Sequence, residues 1–168
     1  MENKNIKHIV FLDIDGVLNS EDFFKNRAHK GFIDTNKIKL LNQLKDIEAE
    51  VVISSSWGYD NGRTEKSLKD CGLELPIIGY TEHFHCSWQC RGNEIAKWMF
   101  DNLGETGNVY GKNYAYFHGH DYEYVIFDDD TDFLVGQLPN FVNTDFYTGL
   151  TQEDIDKARK ILLRSCEE

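Results

Sequence analysis

Short apolar runs and longer amphipathic stretches alternate along the chain. Runs rich in β-branched and aromatic residues, typical of buried strands, lie at residues 7–12, 50–53, 75–80, 123–127 and 141–144. Stretches with apolar residues spaced three and four apart, typical of helices, lie at residues 35–47, 64–71, 91–103 and from 151 onward. This alternation predicts an α/β fold with a central, mostly parallel sheet covered by helices on both faces.

Length and composition predict a single domain. The chain has 168 residues, 40% of them hydrophobic, which is enough for one core, and no repeat or linker interrupts the pattern. We expect one domain over residues 1–168 with a core from about 7 to 165. The apolar runs are far shorter than a spanning helix needs. No apolar segment follows the charged start, so we expect no secretory signal and a cytoplasmic location.

Charge restricts the class of partner. The formal net charge is -11 and the pI is about 4.9. Such a chain lacks the broad basic face that grips a nucleic-acid backbone, so we expect no extended nucleic-acid interface, although a local basic pocket is compatible with this charge. The oligomeric state does not follow from the sequence.

Cysteines and histidines raise the question of a zinc site. Four cysteines are too few and too irregularly spaced for a disulfide scaffold, and we interpret them as thiols. One segment carries zinc-ligand residue types without the spacing of a standard zinc finger, so we favour a loop beside the functional site over a zinc site; its residues are His83, His85, Cys86 and Cys90.

Carboxylates follow two of the predicted strands. Asp13 and Asp15 come directly after the first strand, and Asp128 and Asp129 after the strand at 123–127. The carboxyl ends of parallel strands meet at one edge of a sheet, where ligands bind. Phosphoryl transfer needs an in-line nucleophile, a metal and a proton donor. Asp13 suits the nucleophile and metal ligand, Asp15 the acid/base group, and Mg²⁺ the metal, because it prefers oxygen ligands.

These residues occur in motifs typical of one family. The segment 11–18, FLDIDGVL, resembles the first motif of the haloacid dehalogenase (HAD) superfamily of phosphatases, a strand followed by DxDG(T/V). The second motif, an apolar strand ending in Ser or Thr, is matched at Ser54, with Ser55 as the alternative. The fourth, an apolar strand ending in paired acids, is matched by residues 125–129.

The third motif is a Lys or Arg near the start of a later helix. We favour Arg91, which begins the predicted helix at 91–103, over Lys97, which lies two turns inside it. Lys is the commoner residue at this position of the superfamily, whereas Arg would hold phosphate through a planar fork.

The resemblance implies a three-layer, Rossmann-like HAD fold and a phosphatase acting through an aspartyl-phosphate. The segments 19–34 and 57–90 are too short for a large cap, so we expect an open site. The implied Mg²⁺ ligands are Asp13, the backbone carbonyl of Asp15, Asp128 and Asp129. The implied phosphate-binding residues are Ser54, Ser55 and Arg91.

Further segments, SSSW, FDDD and TGLT, resemble compact HAD domains grouped with RNA-repair and polynucleotide-end phosphatases. The substrate implied is a nucleotide or a polynucleotide end. One departure weakens this inference, since Gly58 follows Trp57 where those relatives often carry Arg, and the nearest arginine is Arg63. We favour packing over base stacking for Trp57. Phosphotransfer to another acceptor, as in mutases, and a non-catalytic module that binds phosphate esters remain the alternatives.

Overall fold

Five parallel strands form the centre of the protein. The structure, a computed structural model, describes residues 6–26, 31–59, 62–84, 90–103 and 122–164. The strands pair in the order β3-β2-β1-β4-β5, and every pairing is parallel. Their bounds are Lys7–Leu12 (β1), Ala49–Ile53 (β2), Ile77–Tyr80 (β3), Tyr122–Asp128 (β4) and Phe141–Asn143 (β5). The predicted α/β class is confirmed.

Helices occupy the segments between the strands. Among the described residues the α-helices are Glu21–Lys25 (α1), Thr35–Leu41 (α2), Arg63–Asp70 (α3), Arg91–Leu103 (α4) and Gln152–Leu162 (α5). The same ranges contain 3₁₀ segments at Asn42–Ile47, Ser56–Tyr59 and Val135–Asn140. Within the described ranges, no helix has both the length and the apolar character needed to cross a membrane.

Alternate residues of each strand pack on opposite faces of the sheet. Val10 and Leu12 of β1 lie in one apolar cluster with residues of α2, α3 and α5. Ile9 and Phe11 lie in a second cluster, which Trp98 of α4 completes. Because consecutive strand residues face opposite sides, β1 is buried on both faces. The three-layer arrangement follows from these two clusters.

One predicted helix is two segments. The pattern over 35–47 predicts one helix, but α2 ends at Leu41 and the chain continues as a 3₁₀ segment. The Asn42 amide, at the junction, donates to the carbonyl of Gly72 (2.8 Å) and accepts from the N–H of Glu74 (2.9 Å). These contacts to the loop after α3 are invisible in a local pattern, which is why the sequence does not predict the break.

The strand order determines where a site can form. The sheet grows from β1 toward β2 and β3 on one side and toward β4 and β5 on the other, so the order reverses between β1 and β4. Ligands of open α/β sheets bind at such a reversal, beyond the carboxyl ends of the strands. Leu12 pairs with Phe127 at these ends, and the N–H of Asp13 donates to the carbonyl of Phe127 at 3.0 Å. The next side chains along both strands are carboxylates.

Candidate active site

Three aspartates converge at the reversal of strand order. Asp13 follows β1, Asp128 ends β4, and Asp129 comes next in the chain. Each offers a carboxylate oxygen within 4.8 Å of the others. Asp13 and Asp128 are buried, with 7% and 2% of their surface exposed. We call Asp13, Asp128 and Asp129 the acidic cluster, and its spacing suits the binding of one metal ion.

Burial perturbs the protonation of this cluster. It raises the pKa of Asp13 to about 6, against the lowering effects of the Ser55 hydroxyl and the Arg91 charge. Burial, with the charge of Asp13 added, raises the pKa of Asp128 to about 8. Burial also raises the pKa of Asp129. Without a cation the cluster therefore retains protons near neutral pH.

The donor set fits a hard divalent cation. All three side chains offer carboxylate oxygens, the ligands that Mg²⁺ prefers. Oδ2 of Asp128 is buried and accepts no hydrogen bond from any described residue. A buried carboxylate oxygen without a donor is costly unless a cation meets it.

Gly16 makes room for the acidic cluster. Its φ is +68°, and a Cβ there would lie 2.3–2.6 Å from carboxylate atoms of Asp129. The carbonyl of Gly16 accepts from Oγ1 of Thr144 (2.9 Å), and the N–H of Thr144 donates to the carbonyl of Asp128 (3.0 Å). Thr144, which follows β5, therefore links the turn after β1 to Asp128 at the end of β4.

Asp15 lies outside the acidic cluster and is exposed. Nδ2 of Asn19 donates to its Oδ1 at 2.8 Å, and Nε1 of Trp57 donates to its Oδ2 at 2.9 Å. Oδ1 of Asn19 in turn accepts from the N–H of Gly16 at 3.1 Å. The carboxyl group is oriented by two uncharged donors and stays open to solvent, which suits the exchange of protons with a substrate and with water.

Two serines follow β2 with different partners. The N–H of Ser54 donates to the carbonyl of Leu12 at 2.8 Å, which fixes this residue beside β1. Its hydroxyl is buried and has no hydrogen-bond partner among the residues described. The Ser55 hydroxyl accepts from the N–H of Trp57 (3.4 Å) and lowers the pKa of the nearby Asp13 carboxyl group. Of the two hydroxyl groups, that of Ser54 has the unused capacity to bind a ligand oxygen.

Arg91 brings a cation to the cluster. It begins α4, where its N–H donates to Oδ2 of Asp132 at 2.8 Å. Its Nε lies 3.7 Å from Oδ2 of Asp128, and its Nη1 lies 3.3 Å from Oε2 of Glu94. The Asp132 carboxylate therefore caps the first turn of α4 and starts the helix where the guanidinium reaches the cluster.

Lys97, the alternative cation, lies on the solvent side of α4. Its side chain is 40% exposed, is paired with Asp101, and lies 3.9 Å from Glu82. The structure therefore brings Arg91, and not Lys97, to the acidic cluster.

Glu94 was not predicted as part of the site. The Glu94 side chain is 1% exposed. Its Oε2 contacts Arg91, whereas its Oε1 accepts from the N–H of Phe84 (3.2 Å) and lies 3.0 Å from Nδ1 of His83. An acid three residues after a cation at a helix start was the available signal. His83 therefore has a carboxylate partner, while His85 and Cys86 of the zinc hypothesis lie outside the described residues.

The family of the chain follows from its motifs and from comparison with known proteins. A family model described as the HAD domain in Swiss Army Knife RNA repair proteins matches residues 9–155. That range contains β2 through β5, all but the first two residues of β1, and every residue of the site built above. No curated protein and no solved structure gave a match to the chain. The resemblance read from the motifs is confirmed: the chain belongs to the HAD domains of Swiss Army Knife RNA repair proteins, a phosphatase-type enzyme family.

Proposed function

We propose that the protein is a Mg²⁺-dependent phosphomonoesterase that forms an aspartyl-phosphate at Asp13 and uses Asp15 as its acid/base group. One observation carries this proposal. Asp13 is buried among the ligands of a metal-sized acidic cluster, whereas Asp15, two residues later, is exposed and held by neutral donors. A carboxylate held among metal ligands suits a nucleophile, and a carboxyl group open to solvent suits a proton carrier.

The cation would be held by four groups, of which three form the acidic cluster. They are the carboxylates of Asp13, Asp128 and Asp129 and the backbone carbonyl of Asp15. When bound, Mg²⁺ supplies neutralisation of the negative charge on the carboxylates and on the phosphoryl oxygens. Ser54 and Arg91 complete the phosphate site in this proposal, because one offers an unused hydroxyl and the other a guanidinium next to Asp128.

In the first step, a carboxylate oxygen of Asp13 attacks phosphorus in line with the ester oxygen. The bond from phosphorus to that oxygen breaks, and the carboxylic acid of Asp15 gives its proton to the leaving oxygen. The products are the free alcohol, an aspartyl-phosphate at Asp13 and the carboxylate of Asp15. The hydroxyl of Ser55, which lowers the pKa of Asp13, favours the carboxylate form that attacks.

In the second step, the Asp15 carboxylate takes a proton from a water molecule whose oxygen attacks phosphorus. The bond from phosphorus to the Asp13 oxygen breaks, which releases inorganic phosphate and restores Asp13 as a carboxylate and Asp15 as an acid. The exposure of Asp15 gives water direct access to this group.

The proposed substrate is a nucleotide or a phosphorylated polynucleotide end. The family description refers to RNA repair proteins, and the acidic composition disfavours long contacts with a nucleic-acid backbone. A terminal phosphate agrees with both the RNA-repair family and the acidic composition, because only the last nucleotides of the polymer need to enter the site. We also propose that the protein acts in the cytoplasm.

The test measures phosphate release from nucleoside monophosphates, 5′- and 3′-phosphorylated oligonucleotides, sugar phosphates and phosphopeptides, in Mg²⁺ and in EDTA. Asp13→Asn and Asp15→Asn should each abolish Mg²⁺-dependent release while the fold survives. The control is Asp130→Asn, which changes the next, exposed residue of the same acidic run. Full activity in Asp13→Asn would falsify the proposal.

Two other outcomes identify the alternatives. A phospho-enzyme that is discharged faster by a sugar or nucleoside than by water indicates a phosphotransferase. Tight binding of a phosphate ester without any hydrolysis indicates a binding module.

A further inference from the structure

An exposed phenylalanine lies beside the proposed acid/base group. The Phe32 side chain belongs to a residue that is 71% exposed, a high value for an aromatic ring. Its centroid lies 6.4 Å from that of Trp57, with the ring planes at 71°. Trp57 packs against the margin of the core, as the sequence predicted, whereas Phe32 is outside it. The fold therefore leaves an aromatic face open to water next to a half-buried indole.

Four contacts tie these rings to Asp15. Nε1 of Trp57 donates to Oδ2 of Asp15, and Nδ2 of Asn19 donates both to Oδ1 of Asp15 (2.8 Å) and to the carbonyl of Phe32 (3.2 Å). The fourth contact is the edge-to-face packing of Phe32 on Trp57. Asn19 itself is 1% exposed. The buried Asn19 side chain thus helps to fix the position of Phe32 and Trp57 relative to the Asp15 carboxyl group.

We propose that Phe32 and Trp57 form a stacking platform for the base of a nucleoside phosphate, with Phe32 presenting the open face. This inference rests on the proposed function, in which Asp15 protonates the leaving oxygen. The group attached to that oxygen must then lie on the Asp15 side of the site, where the two rings are. Stacking needs no cation, which suits a chain of net charge -11.

The arrangement favours a base over an aryl phosphate. In a phosphotyrosine the ring carries the ester oxygen directly, so the ring and the leaving oxygen would both have to lie at Asp15. In a nucleotide the sugar separates the ester oxygen from the base, which leaves the base free to lie on the exposed face of Phe32. Stacking on an aromatic face accepts every base, because each has a π-face. The platform therefore distinguishes substrates with a base from those without one, and only weakly distinguishes one base from another.

The test uses substrate pairs that differ only in the base. One pair is 5′-AMP and ribose 5-phosphate; the other is a 3′-phosphorylated oligonucleotide ending in adenosine or in an abasic residue. We expect wild type to favour the base-bearing member by about 5- to 150-fold in kcat/KM, the range typical of one stacked base. Phe32→Ala should remove most of this preference and leave turnover of the base-free member within about twofold. Phe32→Tyr should retain the preference.

The matched control is Phe100→Ala, which removes another exposed ring, on α4 and 53% exposed. It should leave both pairs unchanged. Equal turnover of the two members by wild type, or an unaltered preference in Phe32→Ala, would overturn the platform while leaving the phosphatase intact. Faster turnover of a phosphotyrosine peptide than of either nucleotide would also overturn it.

A binding measurement separates this proposal from the proposed function. The same pairs are titrated by calorimetry into Asp13→Asn in Mg²⁺, with Phe32→Ala added in a second protein. Tighter binding of the base-bearing member that is lost with Phe32→Ala supports the platform even if wild type hydrolyses neither pair. Equal affinity for the two members overturns it whether or not the protein is a phosphatase.

Discussion

Asp13 and Asp128 are a coupled pair at the ends of adjacent parallel strands. Their carboxylates share one metal-sized cluster, and the negative charge of Asp13 adds to burial in raising the pKa of Asp128. In the absence of a cation, a negative charge on either carboxylate makes ionisation of the other less favourable. The stability of the protein should therefore depend on pH and on metal in ways that the structure predicts.

The metal-free protein should lose stability as the pH rises. The ordinary pKa of both groups is 3.8, and the folded-state pKa rises to about 6 for Asp13 and about 8 for Asp128. Between these pKa values the folded state binds more protons than the unfolded state. The destabilisation caused by ionising the two buried carboxyl groups is therefore absent below pH 3.8 and complete above about pH 8. Urea unfolding in EDTA should give a free energy of unfolding lower at pH 8 than at pH 5 by up to roughly 5 kcal/mol. The same measurement on Asp128→Asn should show a clearly smaller decrease; an identical one would assign the effect to other groups.

Magnesium should stabilise the protein most at the higher pH. Metal ligands must be deprotonated, so protons compete with the cation for Asp13 and Asp128. Thermal unfolding with millimolar Mg²⁺ and with EDTA should give a larger difference in Tm at pH 8 than at pH 5.5. Asp129→Asn should reduce the difference, and Asp130→Asn should not. A Tm shift that is equal at both pH values would contradict a metal site built from these carboxylates.

Gly16→Ala should inactivate the enzyme. The added Cβ would occupy the space of the Asp129 carboxylate, and displacement of a catalytic group by about 1 Å can cost about 100-fold in rate. Gly72→Ala is a matched control, since Gly72 also has positive φ (+94°) but a Cβ there meets nothing within 4 Å. We expect similar backbone strain in both variants, of about 1 kcal/mol, but loss of kcat/KM only in Gly16→Ala. Comparable activity of the two variants would show that the space beside Asp129 is unimportant.

Arg91 and Lys97 should differ sharply as alanine variants. Arg91→Ala removes the guanidinium next to Asp128 and should lower kcat/KM by about 100-fold or more, as loss of a charged phosphate contact does. Lys97→Ala removes an exposed charge paired with Asp101 and should stay within about threefold of wild type. Steady-state kinetics under identical Mg²⁺ concentrations decide between them, and the reverse result would transfer the role to Lys97.

Glu94 should contribute more to stability than an exposed glutamate does. Glu94→Ala leaves the half-buried Arg91 guanidinium and the N–H of Phe84 without this acceptor, so we expect a loss of about 1–3 kcal/mol in the free energy of unfolding. Glu74→Ala breaks the exposed pair with Lys45, whose side chain is 60% exposed, and should cost about 1 kcal/mol or less. Chemical unfolding measures both. If Glu94→Ala cost no more than Glu74→Ala, the buried carboxylate would have no structural role.

Local signals in the sequence predicted the elements that present the site. The bounds of β1 and of α4 agree with the structure, because a β-rich run ending at Asp13 and a helical apolar spacing from Arg91 are local patterns. Gly72 follows the C-cap of α3 with φ +94°, as expected of a glycine after a helix. The carboxylates were predicted to meet because parallel strands end at one edge, and they do.

The supporting contacts could not be predicted in the same way. Thr144 bonds the carbonyl of Gly16 across 128 residues, and Glu94 receives groups from the loop before α4. Asn19 sits within the first turn, yet its link to Asp15 depends on how that turn folds back. Such contacts arise only when segments distant in sequence have packed, and hydrophobic periodicity carries no record of them.

Because Asp13 and Asp128 are far apart along the chain, the proposed activity depends on complete assembly of the sheet. The two halves of the acidic cluster come together only when β4 has paired with β1, and neither strand holds a complete metal site. Under the proposed function, a chain that has folded only its first two strands would therefore lack both the complete cation site and phosphatase activity. Because the cation binds only the finished sheet, Mg²⁺ in the cell would also draw late folding intermediates toward the native state.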